Sequence, residues 1–314
     1  MRGAWFDGSK ISFRDNLPQI QAKPNEVVLN VQLAGVCDTD LQIARGYLGF
    51  VGTPGHEFVA QTPDGRRATA EINANCRTCD FCQRGLGNHC PHRTVVGIVG
   101  RQGAFAEQVV VPGHCLHFIS DSLSDEQAVF IEPLAAAFRI LEQVKVQKSD
   151  QVAVVGDGKL GLLCCWVLRS VGAAVHWVGK HPAKLALGGA GLNTHLLKDA
   201  PDLSKSFDLV VDASGSPTGL ATALGLVRPC GTVILKTTVA ANYEVNLAPI
   251  VIDEIRVIGS RCGPFQTAID ALLTGEFDVL SLIEAEYPLS SVEAAFTHAG
   301  TPGTRKILIR VDQA

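Results

Sequence analysis

The sequence lacks any long apolar run. No stretch reaches the ~18–20 apolar residues that a membrane-spanning helix needs, and the best candidate, LGLLCCWVL, ends at Arg169. The opening segment, MRGAWFDGSKISFRD, has no apolar core like that of a signal peptide. Charge of one sign is also scarce, because the formal net charge is −4 over 314 residues. We therefore predict a cytoplasmic protein that binds neither nucleic acid nor a membrane.

Cysteine, by contrast, is abundant. Of ten cysteines, four share one short segment with the spacing C-x2-C-x2-C-x7-C, namely Cys76, Cys79, Cys82 and Cys90. Four thiolates can close a tetrahedral shell around zinc and leave no position for a substrate, which is typical of a structural site. Two disulfides or an iron–sulfur cluster are the alternatives, although disulfides are rare in cytosolic proteins. We interpret this segment as a structural zinc site.

A second set of candidate ligands is spread along the chain. Cys37 precedes His56 by nineteen residues, and Glu132 lies much further on in the apolar run FIEPLAAAF. One Cys, one His and one Glu are typical of a catalytic zinc with an open fourth position. Alternatively, Cys37 is a small buried residue and His56 a turn histidine. Glu132 is harder to explain in that way, because buried carboxylates are rarely left unpaired.

A glycine-rich loop indicates the fold of the second half. A β-branched strand over 152–155 is followed by the pattern G-x-G-x-x-G at Gly156, Gly158 and Gly161. An apolar helix then runs to about 171, and a second apolar strand follows at 175–178. A strand, this loop and a helix form the pyrophosphate-binding turn of dinucleotide-binding folds. The alternative is a glycine-rich turn that binds nothing.

In their order along the chain, these segments resemble the zinc-containing medium-chain alcohol dehydrogenases. The resemblance rests on GVCDTDL, GTPGHEF, the four cysteines, IEPLAAA, VVGDGKLG and RKILIR, and covers nearly the whole chain. It implies an α/β fold in which a doubly wound Rossmann domain is inserted into a GroES-like, β-rich catalytic domain. The catalytic domain is expected at 1–135 and 264–314, with the zinc lobe at 73–92, and the Rossmann domain at 136–263.

The resemblance also implies roles for individual residues. The catalytic zinc is expected on Cys37, His56 and Glu132, and the structural zinc on the four cysteines, which gives two zinc ions per chain. Glu57 matches a glutamate that can approach the catalytic metal. Thr39 matches the hydroxyl that contacts the substrate oxygen. Asp40 is expected to orient His56 or an adjacent backbone group.

The implied activity is hydride transfer between a small alcohol or polyol, or the matching carbonyl compound, and a nicotinamide cofactor. A homo-oligomer, a dimer or tetramer, is also implied. One alternative is a catalytically silent cofactor-binding regulator or scaffold, and another is a zinc-free quinone or enoyl reductase. Gln42 departs from the pattern, because many relatives have a proton-relay histidine five residues after the first ligand.

The cofactor is expected at the glycine loop and at the end of the next strand. The residues predicted to bind it are Gly156, Gly158, Lys159, Leu160, Gly161, Gly179 and Lys180. NAD-binding folds usually end this strand with an acidic residue, but here that position is Gly179. Since no carboxylate would repel a 2′-phosphate lying against Lys180, the sequence predicts NADP rather than NAD. The alternative is that Lys180 is a solvated turn residue.

Overall fold

The structure is a computed structural model that describes residues 1–189, 191–239 and 242–312. Five residues of the predicted domains lie outside this part: Ala190, Ala240, Ala241, Gln313 and Ala314. In the described ranges no helix has the length and apolar character needed to cross a membrane.

The strands, in chain order, are β1 Gly3–Phe6, β2 Ile11–Arg14, β3 Glu26–Gly35, β4 Glu57–Gln61, β5 Arg67–Ala70, β6 Asn73–Ala74, β7 Thr94–Val96, β8 Gly100–Arg101, β9 Gln108–Pro112, β10 Leu116–Phe118, β11 Gln151–Val155, β12 Ala174–Gly179, β13 Asn193–Leu196, β14 Phe207–Asp212, β15 Val227–Leu235, β16 Arg256–Gly259, β17 Ile283–Pro288 and β18 Lys306–Arg310. The α-helices are α1 Asp38–Ile43, α2 Asp80–Gln83, α3 Asp125–Ala128, α4 Ile131–Gln143, α5 Lys159–Ser170, α6 Pro182–Leu185, α7 Gly219–Leu226, α8 Ala248–Ile252, α9 Phe265–Leu273 and α10 Val292–Ala299. Short 3-10 helices lie at Tyr47–Gly49, Gly87–His89, Gly113–Cys115, Ala186–Gly188, Leu197–Leu203, Val279–Leu282 and Leu289–Ser291.

The chain packs as two compact units. One contains Met1–Glu132 and Phe265–Ala314, and the other contains Pro133–Pro264. The first unit is therefore formed by two separate segments, and the second is inserted between them.

The first unit is built on a sheet with strand order β10-β5-β4-β3-β18-β17, in which β9 also pairs with β3. Strand β3 is long enough to serve two partners: its first half pairs with β9, and its second half lies between β4 and β18. Leu29, Val31 and Leu33 are buried while the residues between them are half-buried. This alternation has the period of two that a strand with one face on the core requires.

The second unit contains a six-stranded sheet with the order β13-β12-β11-β14-β15-β16 and parallel pairing throughout. In chain order within the unit this is 3-2-1-4-5-6, the order of a dinucleotide-binding Rossmann fold. The central strand β11 is buried over 152–155, as expected for a parallel sheet covered on both faces. The predicted doubly wound sheet is thus confirmed, as are its first strand, loop and helix.

Candidate functional site

The four-cysteine lobe, residues 73–92, brings its four thiols into one cluster. The Sγ–Sγ distances are 4.0 Å for Cys76–Cys82, 3.5 Å for Cys79–Cys82, 3.7 Å for Cys79–Cys90 and 3.6 Å for Cys76–Cys90. Helix α2 begins directly after Cys79, so one helical turn places Cys82 beside it. All ten cysteines lie in the described residues and are free thiols.

These distances match the edges of a small tetrahedron. With Zn–S bonds of about 2.3 Å, a tetrahedral shell has sulfurs about 3.8 Å apart. The cluster therefore fits one ion of the size of zinc, rather than two disulfides or a multi-iron cluster. Hydrogen bonds, first from the Thr78 hydroxyl, lower the pKa of Cys76 to about 5, whereas burial and the neighbouring thiols raise the pKa of Cys82 to about 12. A low thiol pKa favours the thiolate that a metal binds.

A second cluster, which we call the mixed-ligand cluster, consists of Cys37, His56 and Glu57. One potential ligand atom from each lies within 4.8 Å of the others. Cys37 is the N-cap of α1, just after β3 ends. His56 and Glu57 stand at the start of β4, and the register of β3 and β4 pairs Gly35 with Glu57. Sheet pairing therefore brings together residues that are far apart in sequence.

Asp40 holds this cluster from behind. Its side chain is fully buried; Oδ2 accepts the backbone N–H of Cys37 at 2.9 Å, and Oδ1 accepts that of Gly55 at 3.2 Å. Oδ1 also lies 3.3 Å from His56 Nδ1, although the angle does not make a hydrogen bond. Asp40 therefore lies where the predicted orienting role would place it, and that role stays a prediction. The contact resembles the carboxylate–histidine pairs that orient metal ligands.

The charges around His56 favour its protonated form. Burial opposes that form, but the carboxylate of Asp40 and then Cys37 hold the pKa of His56 well above its ordinary value. Metal ligands must be deprotonated, so a metal entering the cluster has to displace this proton. The negative charge of Asp40 would then face the metal through the imidazole.

Lys306 is a residue of this region to which the sequence analysis gave no role. It is 1% exposed, its ammonium contacts Glu57 Oε2, and burial lowers its pKa to about 8. A Cβ on Gly35 would lie 2.4 Å from Lys306 Cε and 2.9 Å from Glu57 Oε2, so glycine leaves room for the pair. A lysine inside the apolar strand KILIR was the signal, because a fully buried lysine is nearly always paired.

The remaining predicted residues of this unit are placed as follows. Glu132 is 8% exposed at the start of α4. Among the described residues, the group whose ligand atoms lie within 4.8 Å of one another contains Cys37, His56 and Glu57 but not Glu132. Thr39 is half-buried in the first turn of α1, two residues after Cys37. The structure therefore brings Glu57, rather than Glu132, into the closest set with Cys37 and His56.

The glycine loop of the second unit connects β11 to α5. Gly156 has φ +118°, and a Cβ there would lie 2.5 Å from the carbonyl oxygen of Ala213. A Cβ on Gly161 would lie 2.0 Å from the Gly156 oxygen, whereas nothing lies within 4 Å of one on Gly158. The first and third glycines are thus required by packing. Gly158 leaves open space at the start of α5, where free N–H groups favour a phosphate.

The end of β12 corrects one premise of the cofactor prediction. A carboxylate does lie there, and it comes from Asp157 in the glycine loop. Its Oδ2 accepts the backbone N–H groups of Lys180 and His181, each at 2.6 Å. The premise that no carboxylate would repel a 2′-phosphate near Lys180 is therefore wrong. Lys159 and Leu160 are half-buried in the first turn of α5.

Comparison with known proteins identifies the family. The profile described as "alcohol dehydrogenase GroES-like domain" matches residues 23–121, and that described as "glucose dehydrogenase C-terminus" matches residues 125–307. The D-arabitol-phosphate dehydrogenase of Enterococcus avium is 30% identical and covers 92% of this chain and 91% of its own. The chain belongs to the zinc-containing medium-chain alcohol dehydrogenases.

Solved structures of this family have the same fold. A proposed zinc-binding dehydrogenase from Sinorhizobium meliloti 1021, bound to NADP, superposes with a TM-score of 0.88 at 25% identity, covering 98% of each chain. A structure from Escherichia coli CFT073 (rspB), described as a short chain alcohol dehydrogenase complexed with NADH, gives 0.87 at 25% identity and covers 99% of each chain. The predicted GroES-like and Rossmann architecture is thus confirmed, and the chain is an oxidoreductase of this dehydrogenase family.

Proposed function

We propose that the chain is a zinc-dependent dehydrogenase that transfers a hydride between a small polyol, or polyol phosphate, and a nicotinamide cofactor. The observation that carries this proposal is the mixed-ligand cluster with Asp40 behind it. A thiol, an imidazole and a carboxylate suit a catalytic zinc, and here all three lie together, with Asp40 beside His56. The Enterococcus relative, named for D-arabitol phosphate, indicates the substrate class.

We propose two zinc ions per chain. One would be held by the four cysteines of the lobe. The other would be held by Cys37, His56 and Glu132, the three ligands predicted from the sequence, with Glu57 close enough to approach the metal, so that the fourth position stays open for the substrate oxygen. The first site is a closed shell of four thiolates, and the second has mixed ligands. Metal analysis of the purified, folded chain tests this count.

The chain's own residues would divide the work at the catalytic site. Zinc supplies Lewis acidity that lowers the pKa of an alcohol or polarises a carbonyl group. Asp40 fixes the backbone of Cys37 and faces the ring of His56, so the ligands are held before substrate arrives. The Thr39 hydroxyl would carry the proton of the substrate oxygen. Gln42 cannot titrate near neutral pH, so the proton would leave by another group.

Cofactor binding is assigned to the second unit, within the proposed Rossmann domain 136–263, while residues 1–135 and 264–314 form the proposed catalytic domain. Gly156, Gly158 and Gly161, with Lys159 and Leu160, would hold the pyrophosphate, and Gly179 and Lys180 would border the adenosine ribose. The preference for NADP predicted from the sequence stays a prediction that binding measurements test.

Turnover with a panel of polyols, polyol phosphates and small alcohols tests the function, with NAD and NADP assayed side by side. We expect Cys37→Ser to abolish turnover. Cys230→Ser, at an exposed cysteine, is the matched control and should leave turnover unchanged. If the wild-type chain binds zinc and cofactor but turns over no member of the panel, the silent regulator would replace the enzyme.

We also propose that the chain assembles as a homo-oligomer. Val251 and Ile252 of α8 are each 77% exposed, and apolar side chains this open suit a contact between copies. Light scattering of the wild type and of Val251→Asp tests this. A monomer in both cases would contradict the proposal.

A further inference from the structure

The carboxylate at the end of β12 is delivered from a neighbouring strand. Strands β11 and β12 are parallel, with Val155 beside Val178, and the N–H of Gly156 still donates to the Val178 oxygen at 2.8 Å. Continued by one residue, this register pairs Gly156 with Gly179, and the side chain of the next residue, Asp157, lies against Gly179. The side chain of Asp157 reaches across to the turn that follows β12.

Positions 157 and 179 cannot both carry a side chain in this arrangement. A Cβ built on Gly179 would lie 2.5 Å from Asp157 Cβ and 2.7 Å from its Oδ2. Contacts below 3.0 Å require one of the two to move. Glycine at 179 is therefore the counterpart of aspartate at 157: the carboxylate occupies the space where a side chain on the strand-end residue would begin.

This carboxylate is fixed in place. Its Oδ2 accepts the N–H groups of Lys180 and His181 at 2.6 Å and lies 2.9 Å from Nδ1 of the His181 ring. The side chain of Asp157 is only 12% exposed, whereas that of His181 is 46% exposed. The backbone donors that would otherwise face an anion after β12 are thus already satisfied by a negative charge.

We infer that Asp157 determines the cofactor preference and that the chain selects NAD over NADP, the reverse of the preference predicted from the sequence. The inference rests on the proposed function. A carboxylate at the end of this strand accepts hydrogen bonds from the ribose hydroxyls and repels a 2′-phosphate. Lys180 opposes this with a positive charge, but it is exposed on a flexible stem and is screened by salt. The fixed charge therefore outweighs the mobile one.

Calorimetric titration with NADH and NADPH separately tests the inference. We expect the wild-type chain to bind NADH about tenfold more tightly than NADPH, as one like-charge contact at partial burial implies. Asp157→Asn keeps the size and an oxygen for the two N–H groups but removes the charge. It should tighten NADPH binding and weaken NADH binding, so that the preference disappears. Asp199→Asn, which removes a charge elsewhere in the same unit, is the matched control.

A second variant tests the geometry. In Asp157→Gly/Gly179→Asp the carboxylate moves to the strand end, and we expect the NADH preference to return. Wild-type binding of NADPH as tight as that of NADH would overturn the inference. An equal loss of both cofactors in Asp157→Asn would also overturn it, because that result indicates only a structural role. If neither cofactor bound to the wild type, the proposed function itself would fail.

Discussion

The four-cysteine lobe and the mixed-ligand cluster are two candidate metal sites built in different ways. The lobe takes all its ligands from one short segment, and three of its four cysteines are only half-buried. The mixed-ligand cluster takes its ligands from the end of β3 and the start of β4, and its charged supports Asp40 and Lys306 are buried. Because the four thiols of the lobe converge on one point, we expect the lobe to depend on a bound metal, whereas the cluster lies beside strands that are already packed.

The balance of charge shows the same difference. In the lobe, four thiols face one another, and as thiolates they would need a cation to balance their charge. In the mixed-ligand cluster the chain supplies opposite charges, Lys306 against Glu57 and Asp40 against His56. We therefore expect metal loss to unfold the lobe but to leave the cluster folded.

The largest effect is expected from removing one ligand of the lobe. Zinc binding contributes about 10–16 kcal/mol to the folding of isolated zinc-finger peptides, so Cys82→Ser should lower Tm strongly and reduce the metal content to one zinc per chain. Cys37→Ser should also remove one zinc and abolish turnover, but it should change Tm little. Thermal melts paired with metal analysis measure both. If Cys82→Ser abolished turnover while Tm was unchanged, the lobe would not be a structural site.

Next in size is the loss of Lys306. Lys306→Met leaves the charge of Glu57 buried without its partner, which should cost about 3–5 kcal/mol in the free energy of unfolding. Adding Glu57→Gln should restore most of that loss. Lys205→Met removes an ion pair with Asp253 in which the lysine side chain is 52% exposed and, as the control, should cost at most about 1 kcal/mol. Urea unfolding measures all four proteins. If Lys306→Met and Lys205→Met lowered the free energy of unfolding equally, the buried Lys306–Glu57 pair would contribute no more than the control pair.

The sequence predicted what was local. The spacing of the four cysteines fixes their cluster, because a short segment and one turn of α2 determine where the thiols lie. The strand, glycine loop and helix over 151–170 were also predicted, because apolar periodicity and the spacing of the glycines indicate them within one short segment. Asp40 was also within reach, three residues after Cys37 on one helical turn.

What was not local could not be predicted. Lys306 meets Glu57 only because β18 and β4 both pair with β3, and nothing near residue 306 shows that pairing. Asp157 and Gly179 are twenty-two positions apart in the sequence. The side chain of Asp157 occupies the space beside Gly179 only because of the way the two parallel strands pair. The resemblance implied that Glu57 can approach the metal, but its place in the closest set with Cys37 and His56, and that of Glu132 outside this set, follow from sheet pairing.

A smaller effect is expected from Asp40→Asn, which tests how the mixed-ligand cluster is oriented. The change keeps the size of the side chain but removes the charge that faces His56. We expect zinc affinity at this cluster to fall about 10–100-fold, while the zinc of the lobe is unaffected. Competition with a chromogenic chelator measures both sites. Asp38→Asn, an exposed neighbour on α1, is the control, and an equal loss there would rule out a specific role for Asp40.

The smallest effect concerns acid stability beside the lobe. Burial opposes the charge of Glu26, but the Lys23 N–H and Arg101 hold its pKa below its ordinary value of 4.5. A depressed carboxyl pKa stabilises the fold above pH 4.5, and this contribution is lost as the pH falls through the folded pKa. Glu26→Gln should therefore cost below about 1 kcal/mol at pH 7 and nothing in stronger acid. Chemical unfolding of the wild type and of Glu26→Gln at pH 7 and in stronger acid measures this. A loss of unfolding free energy that is the same at both would contradict the prediction.

The hydrogen bond from Trp177 Nε1 to the Gly156 oxygen, 2.9 Å long, has a practical consequence. The indole is 1% exposed and touches the backbone of the glycine loop itself. Its emission should therefore shift whenever that loop changes its polarity or position. The chain thus carries an intrinsic optical reporter of its own dinucleotide loop, and replacing Trp5 and Trp166 with phenylalanine would isolate that signal without any added dye.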